Sequence, residues 1–144
     1  IYKKNKLYNK SIDLYKNAMT RNPRSSILLI NLADTYHAAG MYDNAIETYT
    51  QASELKPLDS SIYFRTGLVY RDHGKYEKAV DLFQKAAQID AKNYESQYEL
   101  GMLYYRNLHD NRKATEHFKK VLAIKPDHPD ADKIQNIITL ISSQ

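Results

Sequence analysis

The side chains in this sequence best suited to metal binding or acid–base catalysis are its five histidines, since the 144-residue chain contains no cysteine. His37, His73, His109, His117 and His128 form no close pair at metal-ligand spacing, so they are predicted to be surface or turn residues. The absence of cysteine excludes disulfides and thiolate nucleophiles. The sequence also lacks a Gly-rich phosphate loop and a G-x-S-x-G nucleophile elbow. We therefore predict no catalytic residue, no metal site and no cofactor, and we do not expect an enzyme.

Basic residues are concentrated at the N-terminal end of the chain. Residues 1–24 contain seven Lys or Arg against a single acidic residue, Asp13, so this segment carries +6, whereas the whole chain carries +4. Such a segment attracts phosphates or anionic lipid, but lysines scattered along a helix are more often a solvated face. Nucleic-acid binding is therefore the minority interpretation. The longest aliphatic run, residues 27–30, is far shorter than the ~20 apolar residues that a membrane span requires.

The sequence repeats with a period of 34 residues. One column contains Tyr36, Tyr70 and Tyr104, and Tyr2 falls in the same register. Further columns agree in residue type: Tyr8, Tyr42 and Tyr76; Gly40 and Gly74; Ser11, Ala45 and Ala79; Tyr15, Tyr49 and Phe83. After one inserted residue, Ala114 and Phe118 join the last two columns. Agreement of several independent columns on one period predicts a repeat protein.

Each repeat is predicted to form two helices. Apolar residues follow helical spacing, as in the first half of one unit, where Leu29, Leu32 and Tyr36 cluster on one face. Gly40 lies between the two halves, where glycine can take the left-handed conformation that closes a helix. Pro57 lies between units, where proline ends a helix. A hairpin this short cannot bury both faces alone, so we expect each unit to stack on the next.

This pattern resembles the tetratricopeptide repeat. The resemblance rests on the 34-residue period, a small residue followed by tyrosine in the first helix, Ala45-x3-Tyr49-x2-Ala52 in the second, and the closing Pro57. It implies an all-α fold, a right-handed α-solenoid of antiparallel helix hairpins with a C-terminal capping helix. The implied units are residues 1–24 (a truncated first repeat, with the end of a first helix and a second helix), 25–58, 59–92, 93–127 (with the insertion) and 128–144 (the capping helix). Because Tyr2 falls late in its helix, the array is expected to continue N-terminally.

Departures from the repeat pattern are local. Thr66 and Gln97 occupy columns that are usually apolar or aromatic, and Ala91 replaces the closing proline. The turn at residues 106–110 carries the insertion and lacks the glycine of the other turns. Its geometry is therefore expected to differ.

The resemblance also implies a binding site. In this family the first helices line a concave face that binds an extended peptide or a partner helix. Twelve positions opposite the packing face are candidate peptide-binding residues: Ile27, Asn31, Asp34, Phe64, Arg65, Leu68, Arg71, Glu95, Tyr98, Glu99, Met102 and Tyr105. The five large apolar members in the second and third of these helices are expected to be exposed anchors. We therefore predict a non-catalytic scaffold whose partner is another protein, bound as a peptide or a helix.

Alternatives stay open beside this interpretation. The basic N-terminal segment favours nucleic acid or an anionic surface, the chain is also compatible with a docking arm of an enzyme elsewhere in a longer polypeptide, and a truncated repeat would expose an apolar edge that self-associates. One subclass of the family grips acidic chaperone tails through a clamp of Lys, Asn and Arg. Asn31 and Arg65 match two clamp columns, but Ser61 stands where the clamp requires Lys. The chaperone-tail interpretation is therefore disfavoured.

Overall fold

The computed structural model of the chain describes the backbone of residues 2–143 and the side chains of residues 4–143. Within that range the chain forms eight α-helices and no strand. The helices are α1 (Tyr2–Arg21), α2 (Ser26–Ala38), α3 (Tyr42–Leu55), α4 (Ser60–Asp72), α5 (Tyr76–Ile89), α6 (Tyr94–Arg106), α7 (Asn111–Ile124) and α8 (Ala131–Ser142). Each helix packs on the next along the chain, and α2 also touches α4. The result is an all-α helical-repeat solenoid.

Short polar side chains begin the helices that open the hairpins. Ser25 accepts a hydrogen bond from the Leu28 backbone amide at 3.3 Å. Asp59 and Asn93 cap α4 and α6 in the same way, through the amides of Ser61 at 3.1 Å and Ser96 at 2.8 Å. Each cap satisfies an amide that the first helical turn leaves without a partner.

The turns inside the hairpins depend on a left-handed residue. Gly40 and Gly74 have φ values of 74° and 76°, a region in which glycine avoids the steric cost of a side chain. The third turn, which contains the insertion, lacks glycine, and His109 takes the left-handed conformation there with φ 55°. Positive φ is uncommon outside glycine. The third turn therefore differs from the other two, as predicted.

Small residues let the two helices of a hairpin approach closely. Ala45, Ala79 and Ala114 are fully buried. A Cβ atom added at Gly67 or Gly101 would lie 2.6 Å from the ring of Phe83 or Phe118 respectively. Both rings are completely buried. The ring on one helix therefore occupies the space that a side chain at the glycine of the other helix would take.

The N-terminal segment differs from the predicted truncated repeat. The expected end of a first helix before Tyr8 is absent, because α1 runs without interruption from Tyr2 to Arg21. The physical reason is visible in the repeat register, where Lys6 stands in the column of Gly40 and Gly74. Lysine rarely takes the left-handed conformation that Gly40, Gly74 and His109 adopt, so the helix continues. The predicted match between Tyr2 and Tyr36 concerns a side chain outside the described residues.

Two clusters of buried side chains form the core, one around α2 and α3 and one that runs from α5 to α8. In α8, Ile134 and Ile138 are buried in the second cluster and Ile137 and Ile141 pack against it. The opposite face of α8 is exposed and, apart from Leu140, polar, as a helix at the end of a stack requires. None of the helices in the described part of the chain combines the length and the hydropathy that crossing a bilayer demands.

Candidate functional site

The twelve predicted side chains lie on α2, α4 and α6, and we call the surface that they form the first-helix face. Its first charged pair joins two neighbouring hairpins. Nη1 of Arg65 on α4 lies 2.9 and 2.8 Å from the two carboxylate oxygens of Asp34 on α2. The buried phenol of Tyr49 on α3 donates a hydrogen bond to the same carboxylate. Burial, reinforced by Asp34, raises the pKa of Tyr49, so the phenol remains a donor.

A second pair joins α4 to α6. Nη1 of Arg71 lies 2.7 Å from Oε2 of Glu99, and its Nη2 lies 2.9 Å from Asp72. Nε2 of His37 on α2 lies 2.7 Å from the other oxygen of Asp72. Although burial opposes the charged form of Arg71, the bonds to Glu99 and Asp72 raise its pKa. Asp72 and Arg71 therefore connect three successive first helices.

Tyr98 connects α6 to the segment that precedes α8. Its phenol donates a hydrogen bond to Oδ2 of Asp130 at 2.9 Å, and its ring stacks on His128 at a centroid distance of 5.2 Å. Burial and the Asp130 carboxylate raise the pKa of Tyr98 to about 12. The side chain of Asp130 makes no capping bond to α8, because it is bonded to Tyr98 instead.

The five predicted apolar anchors are less exposed than expected. Phe64, Leu68, Tyr98 and Tyr105 are half-buried and pack against the second core cluster, so only part of each is accessible. Met102 is 8% exposed, and its predicted role as an exposed anchor is wrong. It lies in the second core cluster, which also contains Leu103 of α6 and Ile134 of α8.

The remaining predicted residues lie apart from these contacts. Ile27, near the start of α2, is 67% exposed, and Glu95 is exposed at the start of α6. Asn31 is half-buried, and its backbone carbonyl accepts a hydrogen bond from Thr35 at 2.8 Å.

A cavity of about 290 Å³ lies between α4, α6 and α8. It brings together four predicted residues, Arg71, Tyr98, Glu99 and Met102. Its lining also contains Arg106, Asn107 and Lys133, which sequence reasoning missed. A signal for one of them exists. Lys133 lies 35 residues after Tyr98, so counting the inserted residue extends the face into α8.

Another surface bears on the alternatives. A depression of about 680 Å³ on α1 is lined by Leu7 and Leu14, which are 62% and 63% exposed, and by Lys6 and Lys10.

No group of three or more His, Asp or Glu side chains within residues 4–143 is arranged to hold a metal ion. His117 is bonded to Gln97 at 2.7 Å, so the buried polar side chain of Gln97 in its apolar column has a half-buried partner.

Comparison with known families assigns the repeats. A tetratricopeptide-repeat family model matches residues 30–96, and a second matches residues 94–128. The chain belongs to the tetratricopeptide-repeat family.

Solved structures with this fold are similar to the chain. A crystal structure of MamA aligns with a TM-score of 0.82 and 24% identity, over 94% of this chain and 77% of that one. A second MamA structure gives a TM-score of 0.74 and 20% identity, over 99% and 88%. The Arabidopsis OM64 TPR domain gives a TM-score of 0.72 and 18% identity, over 80% and 94%. At these identities the likeness concerns the fold. No curated protein matches the chain in sequence.

Tetratricopeptide arrays are scaffolds for protein–protein interaction, and this chain has the same architecture. In this array Arg65, one of the two residues that match the chaperone-tail clamp, is bonded to Asp34. Ser61, in the column that the clamp fills with Lys, is exposed and donates a hydrogen bond to Asp59 at 2.6 Å. Both contacts argue against a chaperone-tail clamp here.

Proposed function

We propose that this tetratricopeptide array binds a segment of another protein, as an extended peptide or a helix, on its first-helix face and carries no catalytic site. The observation that supports the proposal is the mutual support of the side chains on that face. Arg65 is held by Asp34, Arg71 by Glu99 and Tyr98 by Asp130. Side chains that are already ordered lose little conformational entropy on binding.

The chemistry of the face suits a segment with both apolar and polar residues. Phe64, Leu68 and Tyr105 each expose part of an apolar side chain next to the ion pairs. Partly exposed aromatic and aliphatic groups bordered by charge are typical of interaction surfaces. Because the anchors are half-buried, we expect shallow contacts spread over several helices.

The test is selection of binding peptides from a displayed library with the whole chain, followed by titration of one selected peptide. Ile27→Asp should weaken binding about tenfold or more, because it places a charge at an exposed apolar position of the face. Leu14→Asp is the matched control, since Leu14 is equally exposed but lies on α1. Circular dichroism of both variants verifies that the helices persist. Equal loss of binding in both variants would contradict the proposal.

The basic surface of α1 supports a second candidate, binding of nucleic acid or an anionic surface. Lys4, Lys6, Lys10 and Lys16 are all exposed on this helix. Phosphate binding weakens steeply with salt. For duplex DNA the logarithm of the binding constant falls with the logarithm of the salt concentration, with a slope of about −0.9 per phosphate contact. A titration with duplex DNA at two salt concentrations separates this candidate from peptide binding on the first-helix face.

Self-association through α1 stays a prediction. Leu7 and Leu14 present an apolar surface, whereas the neighbouring lysines repel those of a second copy. Sedimentation at low and high salt tests this, because screening of the lysines should favour association.

A further inference from the structure

We infer that the cavity between α4, α6 and α8 receives a glutamate or aspartate side chain of an acidic partner segment. The inference rests on the proposed function of the first-helix face and specifies the chemistry of its partner. It concerns the end of the face at the capping helix, where the balance of charge differs from the rest.

Three cations from three helices line the cavity. Arg71 comes from α4, Arg106 from the last turn of α6 and Lys133 from α8. The amide of Asn107 adds a neutral donor, and Glu99 is the one carboxylate in the lining. Three positive charges against one negative leave the lining at +2, and Asp72, which lies outside the lining 2.9 Å from Arg71, reduces the local balance to +1. At the other end of the face, by contrast, Asp34 and Arg65 cancel each other.

The carboxylate of the lining and the one bonded to Tyr98 already have partners within the chain. Glu99 lies 2.7 Å from Arg71, and Asp130 accepts the hydrogen bond of Tyr98 at 2.9 Å. Asp127 lies 3.6 Å from Lys125 and does not line the cavity. Arg106 and Lys133 form no ion pair with any residue that the structure describes, and both are exposed. An anion from outside the chain is therefore the partner that these two cations lack.

The position of Lys133 is not explained by the stability of its helix. It lies in the first turn of α8, where the helix dipole disfavours a positive charge. Arg106 lies in the last turn of α6, where the dipole favours a cation. Lys133 thus costs α8 a little stability while adding positive charge to the cavity.

The chemistry of the lining fits a carboxylate on a short apolar stem. Met102 and Leu103 contribute apolar lining beside the cations. Guanidinium groups bind carboxylates through charge-assisted hydrogen bonds, and a lysine adds a point charge. A glutamate or aspartate side chain offers a carboxylate with one or two methylenes, which matches both parts of the lining.

The test uses the full chain and a defined probe, a hexaglutamate peptide acetylated at its N-terminus and amidated at its C-terminus. In a titration followed by ¹⁵N–¹H NMR, the peptide should change the chemical shifts of the backbone amides around Arg106, Asn107 and Lys133. The double variant Arg106→Glu/Lys133→Glu should raise the dissociation constant about tenfold or more. Arg112→Glu/Lys119→Glu is the matched control, because it changes the same charges at exposed positions of α7 and should have less than about a twofold effect.

Several outcomes would overturn the inference. Equal weakening in both double variants would mean attraction to the overall charge, and shifts confined to residues 4–24 would place the acidic peptide on α1. Hexaglutamine with a free C-terminus binding as tightly as the probe would mean that a terminal carboxylate is the ligand. A display-selected peptide that loses binding with Ile27→Asp but not with Arg106→Glu/Lys133→Glu would overturn this inference and leave the proposed function standing.

Discussion

Arg71 and Glu99 join two neighbouring repeats through a 2.7 Å contact and also line the cavity at the capping helix. The same two side chains therefore belong both to the stack and to the candidate site. The contact is 34% exposed on the arginine side and 17% on the glutamate side, so solvent screens it only in part. Changes at this pair are expected to affect stability and binding separately.

Glu99→Gln should change stability and hexaglutamate binding in opposite directions. Loss of the ion pair should lower the free energy of unfolding by about 0.5–1 kcal/mol, since Arg71 keeps its contact with Asp72. The cavity gains one unit of positive charge, so hexaglutamate should bind more tightly. Arg71→Gln should lower both quantities. Urea unfolding and the NMR titration measure the two effects, and weaker hexaglutamate binding by Glu99→Gln would contradict the expectation.

Gly67→Ala should destabilise the second hairpin by about 1–3 kcal/mol. The added Cβ would lie 2.6 Å from Cε1 of Phe83, so this fully buried ring would have to shift against its neighbours. The better helix propensity of alanine, about 1 kcal/mol, offsets only part of this strain. Thermal unfolding measures the change, and Gly67→Ala/Phe83→Leu should recover part of the loss. An unchanged midpoint for Gly67→Ala would mean that the two helices separate easily.

The hairpins and their turns could be predicted from the sequence because they depend on local rules. Gly40 and Gly74 stand at the positions where a left-handed residue is needed, and Asp59 stands where a cap is needed. The long α1 was missed because the prediction extended the period to residues where Lys6 replaces glycine. At the third turn, by contrast, His109 replaces glycine in the left-handed conformation and the repeat continues.

The candidate site was harder to predict, since its contacts join residues about one repeat apart. A helical wheel places Asp34 and Arg65 on one face, but it does not show that they bind each other. Met102 has the same wheel position as an exposed anchor, yet it is buried in the second core cluster. Lys133 lies in the predicted capping helix, residues 128–144, whose polar columns the sequence predicts to be a solvated cap and not a binding surface.

Tyr98→Phe should lower the free energy of unfolding by about 1 kcal/mol, the usual contribution of one hydrogen bond. The substitution removes the hydroxyl that donates to Asp130, while the aromatic ring still stacks on His128. The freed Asp130 carboxylate can then approach the N-terminus of α8 and Lys133, so hexaglutamate binding should weaken. Urea unfolding near pH 7 and the NMR titration measure both changes. Unaltered affinity would mean that Asp130 stays in place without the phenol.

His117 should make the chain sensitive to mild acid. Burial is the main cause that lowers the pKa of His117 to about 4, and the positive charges of Lys120 and Lys113 act in the same direction, opposed by Glu116. In the unfolded chain the imidazole has an ordinary pKa near 6.5. Between these values the unfolded state binds a proton that the folded state excludes. The contribution to stability is therefore complete above about pH 6.5 and is lost as the pH falls toward 4.

The variant His117→Gln isolates this contribution, because glutamine can keep a hydrogen bond to Gln97 but cannot be protonated. Free energies of unfolding in urea at pH 7.5, 5.5 and 4.5 should fall less steeply for the variant than for the natural sequence. The loss of unfolding free energy between pH 7.5 and 4.5 should be smaller in the variant by about 1–3 kcal/mol. Partial exposure of the ring reduces the full effect of the pKa shift. Titration of other groups contributes equally to both proteins and cancels in the comparison. Parallel curves would mean that the folded chain accepts a proton on His117 near neutral pH, with the imidazole moved away from Tyr104, on which it stacks at 5.6 Å.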